Sequence, residues 1–362
     1  MKSNWSGATI TVIGVEPVFS PLDKQLVVQE RNWSESIIRE VSWLSGIADS
    51  YERAEEILSR LGQVEMDDST IWRHVQERGK QLQAAAEKRK AKALALPQVG
   101  ERPSQPSSGA DRMGVGIDGA MVNIRQEGWK EFKVGAVFAI EDRLTHDPKS
   151  AEWLSLPHAV HNSYVACLDD AQAFGPLIWS EAQARGWEAA RHTQTIGDGA
   201  HWIWNIADEY FFLSVRTVDW FHATQYLHTA ARLLYPNTLP AATRWYNQAA
   251  TLLFQGHAEK IADALATKLA QNLTLAMDEA DTVITYFRNN HKRMQYLEFR
   301  EDGFLIGSGM VESAAKQFKA RFTGPGMQWS RDGLQCLIPI RAAILSHSFD
   351  KLWDSVFSSP PT

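Results

Sequence analysis

The sequence is poor in cysteine, in long apolar runs and in overall positive charge. Its 362 residues include two cysteines, Cys167 and Cys336, so a disulfide framework and a thiolate-rich zinc site are excluded. No apolar run reaches the roughly 18 residues of a membrane span. The first residues lack the basic start and apolar stretch of a secretory signal. We therefore expect a cytoplasmic protein without a membrane segment.

The charge is slightly acidic overall but unevenly distributed. The chain has 37 Lys and Arg against 43 Asp and Glu, a net charge of −6, and so lacks the basic excess of many nucleic-acid binders. Residues 69–95 nevertheless hold seven basic and two acidic side chains. This segment is suited to a polyanion, and a solvated helix face is the alternative interpretation.

The first 95 residues are predicted to form a helical head. After a short β-like start at 8–15, apolar residues recur at helical spacing in 26–46 and 51–61. Proline, glycine and serine then predominate between 96 and 111, which is typical of an exposed linker. We therefore place the head at 1–95 and a linker at 96–111.

The second half of the head has the pattern of a helix-turn-helix. Gly62 ends one predicted helix, and residues 67–69 are N-cap candidates for another that begins near Thr70 and continues basic. In a helix-turn-helix the second helix enters the major groove of DNA. We assign the motif to about 50–95, and an ordinary helical hairpin is the alternative.

After the linker the pattern changes to strands alternating with helices. Strands are predicted at 114–125, 132–140, 161–168, 193–198 and 212–218. Helices are predicted at 171–186, 200–210, 243–254, 258–270, 278–289, 311–320 and 334–345. This is typical of an α/β sheet layered with helices. The α/β domain is assigned to 112–345, with a helical block at about 222–302 and a C-terminal tail at 346–362.

Three acidic residues have neighbours that suit metal binding. Asp118 and Asp198 each end a β-like run and are flanked by glycine, and Glu312 follows the glycine-rich backbone at 307–309. Small neighbours let a cation or phosphate approach, and carboxylates are good ligands for divalent ions. An Asp-Gly turn explains either aspartate alone, and a first-turn glutamate facing the helix dipole explains Glu312. Together, the three could hold two Mg²⁺ ions roughly 3.5–4 Å apart.

Five motifs containing or following these acids occur in a specific order. The acids lie in VGIDG at 115–119, GDGAHWIW at 197–204 and GSGMVES at 307–313. GMQWS at 326–330 and LIPIR at 337–341 follow. Together they resemble bacterial insertion-sequence transposases of the Mutator-like DDE class, including the Kra-type insertion sequences. The resemblance covers most of 112–345. It implies an RNase H-like mixed sheet with an all-helical insertion between the second Asp and the Glu.

The resemblance also implies a reaction and its partners. The expected protein is a DNA transposase that binds the terminal inverted repeats of its element and catalyses Mg²⁺-dependent strand cleavage and strand transfer. Asp118, Asp198 and Glu312 would be the catalytic metal ligands for two Mg²⁺ ions, with Mn²⁺ as a substitute. Double-stranded DNA, both repeats and target, is the implied partner. A homodimer or higher homo-oligomer is expected because two ends must be brought together, and the expected location is the nucleoid.

One more motif agrees with the resemblance. Residues 219–222, DWFH, match the family's C/D-x-x-H signature after the second acid. We expect His222 to act at the catalytic site by contacting DNA near the scissile phosphate or helping to position it. The alternative is that Asp219 caps a helix and His222 packs against it.

Basic side chains in two predicted helices are candidates for DNA contacts. Arg73 and His74 would read base edges in the major groove, and later side chains would contact phosphate. The phosphate candidates of that helix are Arg78, Lys80, Lys88, Arg89 and Lys90. The candidates after Glu312 are Lys316, Lys319 and Arg321, with Trp329 as a stacking platform for an unpaired base. A solvent-facing helix and a core tryptophan are the alternatives.

Two functions of other classes stay open. One is a non-catalytic, transposase-derived DNA-binding protein or regulator. The other is an RNase H-like, structure-selective nuclease that cuts without joining. The presence of all three acids favours catalysis. The sequence departs from many relatives in having no cysteine-rich, zinc-ribbon-like segment before the head.

Overall fold

A computed structural model describes the residues 33–98, 100–103, 109–146, 152–271 and 277–358. The predicted β-like start at 8–15 and the first part of the predicted helix at 26–46 lie outside these ranges.

A five-stranded mixed sheet forms the centre of the α/β region. Its strands are β1 (Arg112–Ile124), β2 (Gly128–His146), β3 (Trp153–Cys167), β4 (His192–Gly197) and β5 (Val215–Val218). Their order across the sheet is β3-β2-β1-β4-β5. The pairs β1–β2 and β2–β3 are antiparallel, whereas β4 runs parallel to β1 and β5 parallel to β4. The sheet therefore joins an antiparallel meander to a parallel half. All five strands overlap predicted ones, although β3 begins at Trp153 and not at the predicted position 161.

Helices cover both faces of the sheet because β1 alternates its side chains between two cores. Met113, Val115 and Ile117 belong to the core that also contains residues of α4 (Ala171–Ala184) and α5 (His201–Tyr210). Ala120 and Val122 belong to the opposite core, shared with α11 (Gly309–Phe322) and α12 (Arg331–Leu345). Even-numbered residues of β1, Asp118 among them, therefore face α11.

A helical block lies between β5 and α11, as the sequence predicts. It contains α6 (Trp220–Leu234), α7 (Leu239–Phe254), α8 (Ala258–Gln271), α9 (Met277–Asn290) and α10 (Tyr296–Glu301). Its apolar residues, such as Leu227, Leu253 and Phe287, join the same core as α4 and α5. The block is thus packed directly onto one side of the α/β region.

The described part of the head, from residue 33 onward, contains α1 (Glu35–Ile47), α2 (Tyr51–Ile57), a π-helical turn (Leu58–Gly62) and the long α3 (Asp68–Ala95). Asp67 is the N-cap of α3, because its Oδ1 accepts the Thr70 N–H at 2.9 Å. Val75 and Leu82 of α3 lie in the same core as Leu334 and Leu337 of α12. The head therefore shares a hydrophobic core with α12 of the α/β region.

The C-terminal residues differ from the predicted tail at 346–362. They form α13 (Phe349–Phe357), in which Phe349 and Trp353 are buried. Apolar residues at positions 349, 353 and 357 lie on one face of a helix, so this segment has an apolar side to bury. Among the described residues, no helix is both long enough and apolar enough to cross a membrane.

Candidate metal centre

Three aspartates lie side by side where the parallel strands end. The β1–β4 ladder pairs Gly116 with Ile196, so two residues later Asp118 and Asp198 are at equivalent positions. Asp219 follows β5 directly, and its N–H donates to the Gly197 carbonyl at 2.7 Å. Neighbouring strands are about 4.8 Å apart, so the register alone brings these backbones together.

The predicted location of Asp118 at a strand end is wrong in one respect. Strand β1 continues to Ile124, because beyond Asp118 it remains paired with β2. Its parallel partner β4, however, ends at Gly197. Asp118 therefore lies inside β1, just beyond the point where the neighbouring strand β4 ends. This open edge gives a ligand the same access to Asp118 that the end of a strand would give.

Glu312 reaches the same place from α11. It lies in the first turn of that helix, and Ser308 Oγ donates to its Oε1 at 3.3 Å. The start of α11 lies against β1, since a methyl group built at Gly116 would be only 3.2 Å from Val311. A glycine two residues before Asp118 thus allows the helix to approach the strand closely.

The electrostatics of Asp118 shows that the charges converge. Burial, followed by the negative charges of Asp198 and Glu312, raises its pKa to about 6, against the lowering effect of the Gly119 N–H and of His222. The Gly119 N–H donates to Asp118 Oδ1 at 2.7 Å. The structure thus brings Asp118, Asp198, Glu312 and His222 into one site, from β1, the β4 end, α11 and α6.

Asp219 connects the elements that carry the other site residues. It has no exposed surface. Its Oδ1 accepts the His222 N–H at 2.8 Å, which caps α6, and its Oδ2 accepts the Ser308 N–H at 2.5 Å. Burial alone would raise the pKa of Asp219, but these hydrogen bonds outweigh it and the pKa is lowered. A buried carboxylate therefore ties α6 to the loop that precedes Glu312.

His222 is half-buried beside this carboxylate. Its Nδ1 lies 3.2 Å from Asp219 Oδ1, and a ligand-capable atom of each of Asp219, His222 and Glu312 lies within 4.8 Å of the others. The hydrogen bond to Asp219 raises the pKa of His222, and the charges of Asp219, Asp198 and Asp118 act in the same direction against burial. The capping role of Asp219 is confirmed, and His222 is near the acids as well.

On α3, some predicted DNA contacts are exposed and others are not. Arg73, Lys80, Lys88 and Arg89 are exposed. Lys90 is less so, because it forms an ion pair with Glu87 at 2.6 Å. Arg73 and Lys80 lie in the N-terminal half of the helix, and Lys88 and Arg89 lie in its C-terminal half.

His74 and Arg78 are corrections to the predicted DNA contacts, because both are buried. Arg78 forms an ion pair with Glu35 at 2.6 Å, and its guanidinium lies 4.9 Å from the centre of the Phe357 ring. Contacts to α1 and α13 use the face of α3 that carries these two side chains. Arg78 therefore joins α3 to α1 and to the C-terminal α13.

On α11, Lys316 and Lys319 are exposed, one and two helical turns after Glu312. A basic strip therefore runs along α11 away from the acids. Arg321, in contrast, is buried, and it donates to the Ser45 and Asp49 carbonyls at 2.9 and 3.2 Å.

Trp329 is likewise a correction. It is buried, its Nε1 donates to the Phe322 carbonyl at 2.9 Å, and its ring lies 5.0 Å from the Arg321 guanidinium. A ring enclosed in this way packs the core rather than stacking on a base.

The comparison with known protein families covers the site residues that follow position 185 in the chain. Residues 185–351 match the model of an uncharacterised protein family, UPF0236. The match includes Asp198, Asp219, His222 and Glu312 and excludes Asp118. A search of curated proteins returned no match.

Sequence reasoning missed three residues of this site. Ser308 forms hydrogen bonds with both Asp219 and Glu312. It lies in the motif at 307–313, in which only the glycines and Glu312 predict a metal site. Tyr226 and Tyr286 lie beside Asp198, and Tyr226 could have been found because it follows His222 by one helical turn. Tyr286 is 88 residues from Asp198, and no local pattern marks it.

Proposed function

We propose that this protein is a DNA transposase of the Mutator-like DDE class, which binds the terminal inverted repeats of an insertion sequence and catalyses strand cleavage and strand transfer. The observation that carries the proposal is the placement of Asp118 and Asp198 at equivalent positions of two adjacent parallel strands, with Glu312 in the first turn of the helix that packs on β1. The strand order β3-β2-β1-β4-β5 with a helical block before α11 supports an RNase H-like interpretation of the sheet.

The donor set fits Mg²⁺. The three candidate ligands offer only carboxylate oxygens, which hard divalent cations prefer, and their mutual repulsion contributes to the raised pKa of Asp118. A bound cation would relieve that repulsion. Two Mg²⁺ ions held by Asp118, Asp198 and Glu312 would stabilise the attacking and leaving oxygens of an in-line phosphoryl transfer.

The remaining side chains have roles in holding the acids and the DNA. Asp219 uses both oxygens for N–H donors, so it positions Ser308 and α6. His222 has its Nδ1 engaged with Asp219, which leaves Nε2 to donate to a phosphate oxygen near the acids. Lys316 and Lys319 on α11, with Lys80, Lys88 and Arg89 on α3, would contact the DNA backbone.

The test is an assay with labelled duplexes that carry the ends of the insertion sequence, Mg²⁺ and a target plasmid. Wild-type protein is expected to give cut ends and joined products. Asp118→Asn and Glu312→Gln should each lower cleavage at least about 1,000-fold and leave duplex binding unchanged. The matched control is Glu298→Gln, a change at an exposed residue of α10.

Each other outcome identifies another function. Cuts without joined products would indicate a structure-selective nuclease, and binding without cuts would indicate a non-catalytic DNA-binding protein. Cleavage that survives Asp118→Asn or Glu312→Gln would remove those residues from the catalytic role.

A further inference from the structure

Two tyrosines from different helices of the helical block form a stack beside the second acid. Tyr226 of α6 and Tyr286 of α9 have ring centroids 3.7 Å apart and planes inclined by 11°. Such a close parallel contact holds each ring in one orientation. The pair links the two helices that face the β4 end.

Tyr286 is bonded directly to the backbone that carries Asp198. Its hydroxyl donates to the Asp198 carbonyl at 3.0 Å. The following Gly199 has φ of +107°, and a methyl group there would be 2.8 Å from the Tyr286 ring. A left-handed backbone and the absence of a side chain are both needed for this approach. The turn bearing Asp198 is therefore held from outside the sheet, by the helical block.

Tyr226 is placed differently. It lies on α6 one turn after His222, and residues four apart share a helix face. The ring is half-buried. Its stack on Tyr286, which is bonded to the Asp198 carbonyl, holds it beside that acid. A phenol is protonated at neutral pH, so both hydroxyls can act as hydrogen-bond donors.

We propose that Tyr286 is a positioning residue for Asp198 and that Tyr226 is a substrate-contacting residue whose hydroxyl donates to a phosphate oxygen of the DNA strand beside the acids. The Tyr226 part rests on the proposed function. The Tyr286 part concerns the placement of a carboxylate and depends only on metal binding by the acids. The helical block thereby contributes to the site from two helices.

The experiment compares Tyr226→Phe and Tyr286→Phe in the full chain, since both changes keep the ring stack and remove a single oxygen. Tyr246→Phe is the matched control, because Tyr246 of α7 also stacks on a neighbouring ring, that of His228, at 4.0 Å. The first readout is Mn²⁺ affinity by calorimetry without DNA. The second is the single-turnover rate of cleavage at saturating duplex and saturating Mn²⁺. Melting temperatures verify that all variants fold.

Loss of one hydrogen bond to the Asp198 turn should weaken Mn²⁺ binding by Tyr286→Phe about five-fold. Tyr226→Phe should keep the wild-type Mn²⁺ affinity and lower the single-turnover rate about ten-fold, because a hydrogen bond to a charged group is worth more. Tyr246→Phe should match the wild type in both.

Unchanged Mn²⁺ affinity in Tyr286→Phe would overturn the positioning role, and an unchanged rate in Tyr226→Phe would overturn the substrate contact. A wild-type protein that binds Mn²⁺ but does not cut DNA would overturn the proposed function and the Tyr226 role together. In that case the Mn²⁺ affinity of Tyr286→Phe still decides the positioning role.

Discussion

The acidic site and the basic helices differ in how well local sequence patterns predict where their side chains lie. The three predicted acids lie together at the β4 end. Of the predicted DNA contacts on α3 and α11, His74, Arg78 and Arg321 are buried instead. Side chains of one type, basic and at helical spacing, thus divide between surface and core.

This difference shows for which residues a local sequence pattern is enough to predict the position of the side chain. An acid that follows a parallel strand is brought to one edge of the sheet by the ladder, whatever else packs nearby. A basic residue on a helix can face any direction, and neighbouring helices decide which face they cover. Arg321 is buried because α1, α2 and Trp329 surround it. The predictions that follow test this contrast.

The largest expected effect is that of Asp219→Ala, on the acidic side. The change leaves the Ser308 N–H without its acceptor and removes the cap of α6, so unfolding free energy should fall by about 3 kcal/mol. Urea denaturation measures this. Cleavage should fall far more than the fraction unfolded accounts for, because Glu312 loses its support. A variant with normal cleavage would disprove that Asp219 holds Glu312 in position through Ser308.

Arg321→Met should cost about 2 kcal/mol of stability, because it leaves the carbonyl of the buried Ser45 without its donor. Lys319→Met on the same helix should change stability by less than about 0.5 kcal/mol, yet weaken duplex binding. Urea denaturation and a mobility-shift assay separate the two results. A strong loss of DNA affinity in a fully folded Arg321→Met protein would return Arg321 to the DNA surface.

The double variant Lys88→Gln, Arg89→Gln tests the exposed part of α3. Each lost phosphate contact should reduce the slope of log K against log salt by about 1 and weaken binding several-fold at moderate salt. The control is Arg60→Gln, a change at an exposed basic residue outside α3 whose side chain forms an ion pair with Glu56 at 3.2 Å. An unchanged salt slope in the double variant would exclude this part of α3 from the DNA path.

The smallest effect concerns the metal-free protein and pH. The folded state raises the pKa of Asp118 from 3.8 to about 6, so ionised Asp118 disfavours folding, and stability falls as pH rises through that range. Asp118→Asn should therefore melt about 2–4 °C higher than the wild type at pH 7.5. The difference should vanish below about pH 3, where Asp118 is protonated in both the folded and the unfolded states.

With Mg²⁺ added, the wild type should melt at a higher temperature than Asp118→Asn, which is the reverse of the order expected without metal. Added Mg²⁺ should raise the melting temperature of the wild type, because it binds the folded state, and should have little effect on Asp118→Asn. A wild-type protein that gains nothing from Mg²⁺ would contradict the assignment of the acids as ligands.

Much of the fold could be predicted from local patterns. Short runs rich in Val, Ile and Phe predicted the strands of the sheet, and helical spacing predicted the block between β5 and α11. The C-terminal α13 was missed although apolar residues recur at helical spacing over 349–357, because the segment has only nine residues. The convergence of distant acids and the contact of Tyr286 with Asp198 depend on chain crossings that no local pattern contains.

The sequence by itself determined the strands, the helices and the types of side chain available at the strand ends, because these follow from short-range spacing and backbone preference. Only the tertiary structure decided which charged side chains meet and which are enclosed. Asp219, Ser308 and Glu312 come together, and Arg78 and Arg321 become buried, because packing brings residues far apart in sequence within hydrogen-bonding distance.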